Sequence, residues 1–299
     1  MRITSFVLAL LLSSAAYAQS KLATTALSRE VVALMQAQNF DAALEKAQAQ
    51  VDSNQNSAEA YYWLGAANGR LAQTSSIFSK LGYAKAVRSA FQRAAELDPK
   101  QIEARMGLIQ FHLQAPGLAG GDEDLVPALV QQISAIDVGA GFRAQAIVKQ
   151  IGDDPAGAQA LYRKALAHNP ADVDALSTIV GLLSTEKKIA EAETLVMAAL
   201  AKEPSNLKIQ YQKAKCAALG GTDPAGGLTI VDAILAAKPA IEGLSIAGAH
   251  WRRGQILARL GRKAEAIQAL ERSQALDSSI KEVKAELALM RNSKPISKL

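Results

Sequence analysis

The chain has 299 residues, of which 49% are apolar and only 5% aromatic, enough for a large core built mainly from small side chains. Its formal net charge of +5 is mild over that length and does not call for nucleic acid, whose binders concentrate basic residues on one face. The single cysteine, Cys216, excludes an internal disulfide and is expected to be packed and inert.

The opening MRITSFVLALLLSSAAYAQS places Arg2 before an apolar run from Phe6 to Leu12, and Ala16-Tyr17-Ala18 fits a small-x-small cleavage site. This pattern predicts a secretory signal peptide over 1–18, cut after Ala18, with Gln19 starting the mature chain. A buried N-terminal helix is the alternative. The run is shorter than the roughly 20 residues a membrane span requires. No cysteine follows the cleavage region and no later segment is apolar enough to cross a bilayer, so a periplasmic or secreted location is expected.

From residue 24 onward apolar residues recur at helical spacing and almost nothing reads as strand. In chain order, a first hairpin is expected over 24–57, with Leu34, Phe40 and Ala43 at its apolar positions. A second over 58–101 carries Tyr61, Leu64, Gly65 and Asn68, then Phe91, Ala94 and Pro99. A third spans 102–138 and loses the pattern beyond Leu108. A fourth over 139–172 has Phe142, Ala146, Ala158, Tyr162, Ala165 and Pro170, and a fifth over 173–206 has Leu176, Val180, Leu183, Ala192, Val196, Ala199 and Pro204. A weaker sixth covers 207–241, and a seventh over 247–280 has Gly254, Leu257, Gly261, Ala266 and Leu270. Residues 281–293 read as a cap helix and 294–299 as a tail. Pro170 and Pro204 follow Ala-rich helical runs 34 residues apart, and each stops its helix because proline lacks an N–H and restricts the residue before it.

These residues resemble the tetratricopeptide repeat, a 34-residue pair of antiparallel helices with the pattern W-x2-L-G-x2-Y, A-x3-F, A and P. The resemblance covers nearly all of the mature chain and implies an all-α, right-handed α-solenoid of tandem antiparallel hairpins. A lone hairpin cannot bury its apolar stripe, whereas stacked hairpins bury a continuous core. Phe91 and Tyr162 should fill the space between repeats, and the polar side of the cap helix should close the array. Three places depart from the pattern: about ten extra residues around AQTSSIFSKLG, the long third hairpin, and the Gly-rich GGTDPAGG at 220–227.

The stretch FHLQAPGLAGGDEDL, residues 111–125, falls where the third hairpin should turn. It lacks the Lys and Ser/Thr of a phosphate loop and the alternating acids of a calcium loop. Pro116 should end one helix, Gly117, Gly120 and Gly121 should permit the turn, and Asp122, Glu123 and Asp124 should cap the next helix. His112, His168 and His250 show no metal-ligand spacing, and no nucleophile–base signature is present. No catalytic residue, metal or cofactor is expected.

What remains is a binding surface. In the family, the first helix of each hairpin lines a concave groove, and its ligand-facing positions carry over to Tyr62, Arg70, Arg143, Lys208, Tyr211, Lys215, Trp251 and Arg259. The alternative for Tyr62, Tyr211 and Trp251 is packing between helices. The Lys–Asn pair of the carboxylate-clamp subset is absent from every hairpin. The resemblance implies a non-enzymatic, exported scaffold that binds a protein or peptide, acidic if the basic groove sets the preference, in envelope assembly, secretion or a multiprotein complex. A glycan or small-molecule binder is the alternative, with aromatics stacking on sugar rings, and an enzyme sited at the irregular third hairpin is a third.

Overall fold

The computed structural model describes residues 25–237 and 244–292, the side chains of Ile77 and Phe78 excepted. The expected signal peptide and C-terminal tail lie outside the described residues. The described residues form fifteen α-helices and two short 3-10 turns, with no strand among them. They fall into two compact units that divide between Ala175 and Leu176.

The first unit contains α1 (Ala26–Gln36), α2 (Phe40–Ser53), α3 (Ala58–Thr74), α4 (Ile77–Leu97), α5 (Ile102–Gln114), α6 (Val126–Ile136), α7 (Val138–Ile151), α8 (Pro155–His168) and the first turn of α9 (Val173–Thr185). From α1 to α8 each helix packs on the next, and the first helices of successive hairpins also touch, α1 on α3, α3 on α5 and α5 on α7. Phe91 of α4 shows how two hairpins lock. Its ring lies against Gly65 of α3 on one side and Gly107 of α5 on the other, with no room for a β-carbon at either glycine. Glycine is thus the complement of a large ring, and the pair fixes how closely the second and third hairpins stack.

The departures from the repeat pattern have local explanations. The extra residues near 72–81 do not form an irregular loop; they lengthen α3 to 17 residues and α4 to 21. Only Ser75 and Ser76 interrupt helix there. The 111–125 stretch is a turn. After α5 ends at Gln114, the chain makes 3-10 turns at Gly117–Ala119 and Glu123–Leu125, with Gly120 at φ 93°. A side chain at Gly121 would run into the Ala115 carbonyl. One expectation is corrected: Asp122 caps the second 3-10 turn, its side chain accepting from the Asp124 N–H at 3.1 Å, while α6 begins only at Val126 with Pro127 in its first turn.

The second unit holds the rest of α9, then α10 (Ile189–Lys202), α11 (Leu207–Leu219), α12 (Pro224–Ala236), α13 (Ile246–Arg259), α14 (Lys263–Leu276) and α15 (Lys281–Asn292). From α10 to α15 each helix packs on its successor, and α11 also packs on α13. In the Gly-rich sixth hairpin, Gly220 takes φ 128° and Asp223 caps α12, accepting from the Gly226 N–H at 2.8 Å. Leu270, Val283 and Leu287 make a small core that seats α15 on the last hairpin, with Ile267 and Trp251 against it.

Helix starts follow from short polar side chains. Asn39, Ser57, Asp137, Asp154, Asn206 and Ser245 each accept a hydrogen bond from a backbone N–H in the following first turn. The tight turns inside four hairpins share a left-handed residue: Gln38, Asp153, Lys187 and Gly261, with φ between 57° and 75°. Only one of the four is glycine.

Candidate functional site

The eight residues expected in a groove divide between the two units. In the first unit, Tyr62 is only 2% exposed and is a core residue. Its ring lies 5.1 Å from Trp63 edge-on and 5.7 Å from Phe91. Arg70 is half-buried, with its guanidinium 5.0 Å over the Phe40 ring.

Arg143 is also 2% exposed and is not available to a ligand. It bridges three carboxylates, Asp174 at 2.6 Å, Glu103 at 3.3 Å and Asp172 at 3.4 Å. The reason lies in α5, whose buried residues run around the whole helix and include Glu103, Arg105, Gln110 and His112. A helix enclosed on all sides must find partners for its polar groups. Arg143, on the α7 face that packs against α5, supplies one for Glu103. Burial pushes the Glu103 carboxyl above its ordinary range, with Asp172 adding to the shift and Arg143 opposing it. Arg105 donates to the carbonyls of Gln101 and Ala95 and to the Gln132 side chain, with the charge of Asp98 nearby. The expectation that Tyr62 and Arg143 face a ligand is therefore corrected.

In the second unit the expected residues come together on the first helices. Tyr211 and Lys215 of α11 and Trp251 of α13 are half-buried. The Tyr211 hydroxyl reaches Gly248 of α13, where a β-carbon would sit 3.3 Å from it. Lys215 extends the other way, toward Gly181 of α9, where a β-carbon would sit 3.8 Å from its Nζ. Burial pushes the Tyr211 phenol up, while Arg252 facing its hydroxyl works against the shift. Lys215 is lowered to about 8, chiefly by burial, with the positive Arg252 adding to the shift and Cys216 opposing it. Lys208 lies half-buried at the start of α11. Arg259 is exposed and tied elsewhere, donating from Nη2 to the Gly221 carbonyl at 3.0 Å, so it helps hold the α11–α12 turn.

The structure adds three residues that the repeat template did not select. Arg252 lies 4.0 Å over the Trp251 ring and donates to Gln255 Oε1 at 2.6 Å. Gln255 in turn donates to Glu286 Oε1 at 2.6 Å, and the Trp251 indole N–H donates to Glu286 Oε2 at 3.0 Å. Glu286 lies on α15, 35 residues after Trp251, one residue more than a repeat length. That spacing was the available signal. The row thus runs from Gly181 through Tyr211 and Lys215 to Arg252, Trp251 and Gln255, and ends at Glu286. Cys216 lies beneath it, fully buried, with its thiol pushed up to about 11, chiefly by burial. Among the described residues no group of His, Cys, Asp and Glu is placed to hold a metal ion.

Comparison with known proteins agrees with this architecture. Two tetratricopeptide-repeat models match, over residues 152–216 and 247–280, and a model described as regulator of microtubule dynamics protein 1-3 matches residues 10–119. No curated protein matches the chain. Among solved structures, a monomeric mutant of IFIT1 with Gppp-AAAA is similar, with a TM-score of 0.55 and 16% identity over 84% of this chain and 58% of that one. Yeast Tom70 gives a TM-score of 0.51 and 16% identity over 94% of this chain and 61% of its own. A tetratricopeptide repeat protein from Parabacteroides merdae gives 0.45 and 12%, covering 85% of this chain and 100% of that one. This chain therefore spans less than two thirds of the IFIT1 and Tom70 chains. The chain carries tetratricopeptide repeats over residues 152–216 and 247–280, a repeat whose usual work is to scaffold protein interactions. Among the described residues no helix is long and apolar enough to cross a membrane.

Proposed function

We propose that the protein is a non-catalytic scaffold, exported by its N-terminal segment, that binds a protein or peptide along the α9–α11–α13–α15 face of its second unit. One observation carries this reading. Half-buried aromatic and cationic side chains, Tyr211, Lys215, Trp251 and Arg252, are gathered on the first helices of consecutive hairpins. Aromatic and Arg residues are the commonest anchors of protein interfaces. The first unit has no such row, because Tyr62 and Arg143 are absorbed into its core. A glycan is less suited to the face, since Arg252 already covers one side of the Trp251 ring that a sugar would stack on. A nucleic-acid strand is less suited because the row ends in Glu286 rather than in further cations.

The test is affinity capture from envelope extract with the mature chain and a Tyr211→Ala/Trp251→Ala variant, after circular dichroism has shown both to be folded. A protein held by the parent and lost by the folded variant supports the reading. Equal capture by both rejects this face as the site.

A further inference from the structure

Arg105 of α5 is 8% exposed and lines a cavity of about 260 Å³ that opens to solvent and is bounded by α4, α5 and α6 of the first unit. Each wall is one helix face, because its residues are three or four apart: Gln92 and Glu96 on α4, Arg105 and Leu108 on α5, Leu129 and Gln132 on α6. The Arg105 guanidinium donates to the carbonyls of Gln101 and Ala95 and to Gln132 Oε1, and each of its terminal nitrogens keeps a further N–H. Gln132 accepts with its oxygen, so its amide N–H groups remain to donate. Among the described residues no carboxylate lies within ion-pair distance of Arg105; Asp98 offsets its charge only from further off. Glu96 supplies the opposite sign. Its Oε2 meets Arg93 at 3.3 Å, and its Oε1 has no hydrogen bond among the described residues. Leu108 is buried and Leu129 half-buried, and they give the cavity its apolar surface.

We propose that this cavity binds a free α-amino acid with an aliphatic side chain, independently of the face assigned to the second unit. A cation with spare donors and an anion with a spare acceptor line one small space without pairing with each other, and a zwitterion answers both. The ligand carboxylate accepts from Arg105 and from the Gln132 amide, as a charge-assisted pair. Its ammonium donates to Glu96 Oε1 and to the Gln92 side-chain carbonyl. Its side chain covers Leu108 and Leu129, removing apolar surface from water. Size agrees: a cavity of roughly 150 Å³ takes benzene, so one of about 260 Å³ suits about ten non-hydrogen atoms, close to leucine. A plain carboxylic acid would leave Glu96 unmatched, and a residue within a peptide would carry neither backbone charge.

The experiment is isothermal titration calorimetry of the mature chain with L-leucine, at neutral pH. Saturable one-site binding is expected, with a Kd of about 1 mM or tighter. Three analogues are run beside it: L-serine lacks the apolar side chain, 4-methylpentanoate lacks the ammonium, and N-acetyl-leucine has an uncharged nitrogen. Each should bind about threefold more weakly or worse, as loss of an exposed ion pair or of apolar contact does. Glu96→Gln changes an exposed side chain, so the fold should be kept. It should weaken leucine by a similar factor and leave 4-methylpentanoate unchanged. Gln132→Glu puts a carboxylate where Arg105 Nε already finds an acceptor at 3.1 Å. That variant should melt at or above the parent's temperature and lose leucine, because Arg105 is then neutralised from within the chain. No saturation up to about 20 mM leucine overturns the inference, as does undiminished binding by the folded Gln132→Glu variant. Equal binding of 4-methylpentanoate, or an equal effect of Glu96→Gln on both ligands, overturns the zwitterion. Tighter binding of N-acetyl-leucine overturns the free amino acid in favour of a peptide's last residue.

Discussion

Arg143 in the first unit and the Lys215–Arg252 pair in the second are opposite solutions to the same problem. Both place cationic side chains away from bulk water on the first helices of hairpins. Around Arg143 the chain supplies three carboxylates, drawn from α5, from the approach to α9 and from its first turn. Around Lys215 and Arg252 no carboxylate lies within ion-pair distance among the described residues, and Glu286 is engaged by the neutral donors of Trp251 and Gln255. Buried charge stabilises only when it is paired and hydrogen-bonded. The first site is therefore complete without a ligand and holds hairpins together. The second meets Arg252 with neutral groups alone, the Trp251 ring at 4.0 Å and Gln255 at 2.6 Å, so its positive charge is hydrogen-bonded but not neutralised.

The comparison breaks most visibly at Arg143. Replacing it with Met keeps the volume of the aliphatic stem and leaves Glu103, Asp172 and Asp174 facing one another. Removing one member of a buried ion network typically costs about 3–5 kcal/mol, so Arg143→Met should shift the chemical-denaturation midpoint strongly. A loss below about 1 kcal/mol would mean that the carboxylates are solvated, as at a surface pair, and that the contrast with Lys215 is false.

A smaller effect should appear in alkali. The folded state holds Lys215 near 8, against 10.5 for the ordinary side chain, so burial disfavours its charged form. Its contribution to stability is therefore absent below about 8 and grows as pH rises from about 8 to 10.5, where the unfolded chain binds the extra proton. The difference in stability between Lys215→Met and the parent should be largest at pH 7 and shrink by pH 10.5. A difference that stays constant across that interval would show that Lys215 is solvated when folded.

Helix ends were legible where they rest on signals local in sequence. Pro170 and Pro204 mark helix ends two residues past His168 and Lys202. Small residues also marked the contacts, as Gly65 does opposite Phe91. The left-handed turn residues were not legible at Gln38, Asp153 and Lys187, because three of the four such turns put no glycine at the left-handed position. For the ten extra residues near 72–81 the sequence left irregular turns and longer helices both open, and the structure takes the second, in α3 and α4. At the candidate site, a positional template picked Tyr211, Lys215 and Trp251 because it reports which side of a helix faces inward along the row. It does not report compensation. Arg143 stood at an equivalent position, but its carboxylates lie 29, 31 and 40 residues away in sequence. Arg252 and Glu286 were missed because their importance lies in what surrounds Lys215 and in what does not.

The finest division runs inside the Arg143 network itself. Three carboxylates meet one guanidinium in a buried place, and the three are not equivalent. Asp172 accepts from the backbone N–H groups of Asp174 at 3.1 Å and Ala175 at 3.0 Å, so it caps the start of α9 as well as pairing with Arg143. Asp174 makes the shortest ion pair, at 2.6 Å. Glu103 has only the longer contacts of 3.3 and 3.4 Å to Arg143, and burial raises its pKa. A carboxyl raised on folding contributes stability that is present below its unfolded pKa and lost as pH rises through its folded one. At neutral pH its charge is thus a burden, and Glu103→Gln retains an acceptor for Arg143 while removing that burden. The variant should match or exceed the parent at pH 7 by up to about 1 kcal/mol, since uncharged replacements in such networks are often neutral or stabilising. It should lose ground to the parent as pH falls toward 4.5, where Glu103 regains its proton. A loss at neutral pH as large as that of Arg143→Met would show that all three charges are needed, and that the first site is balanced rather than overfilled.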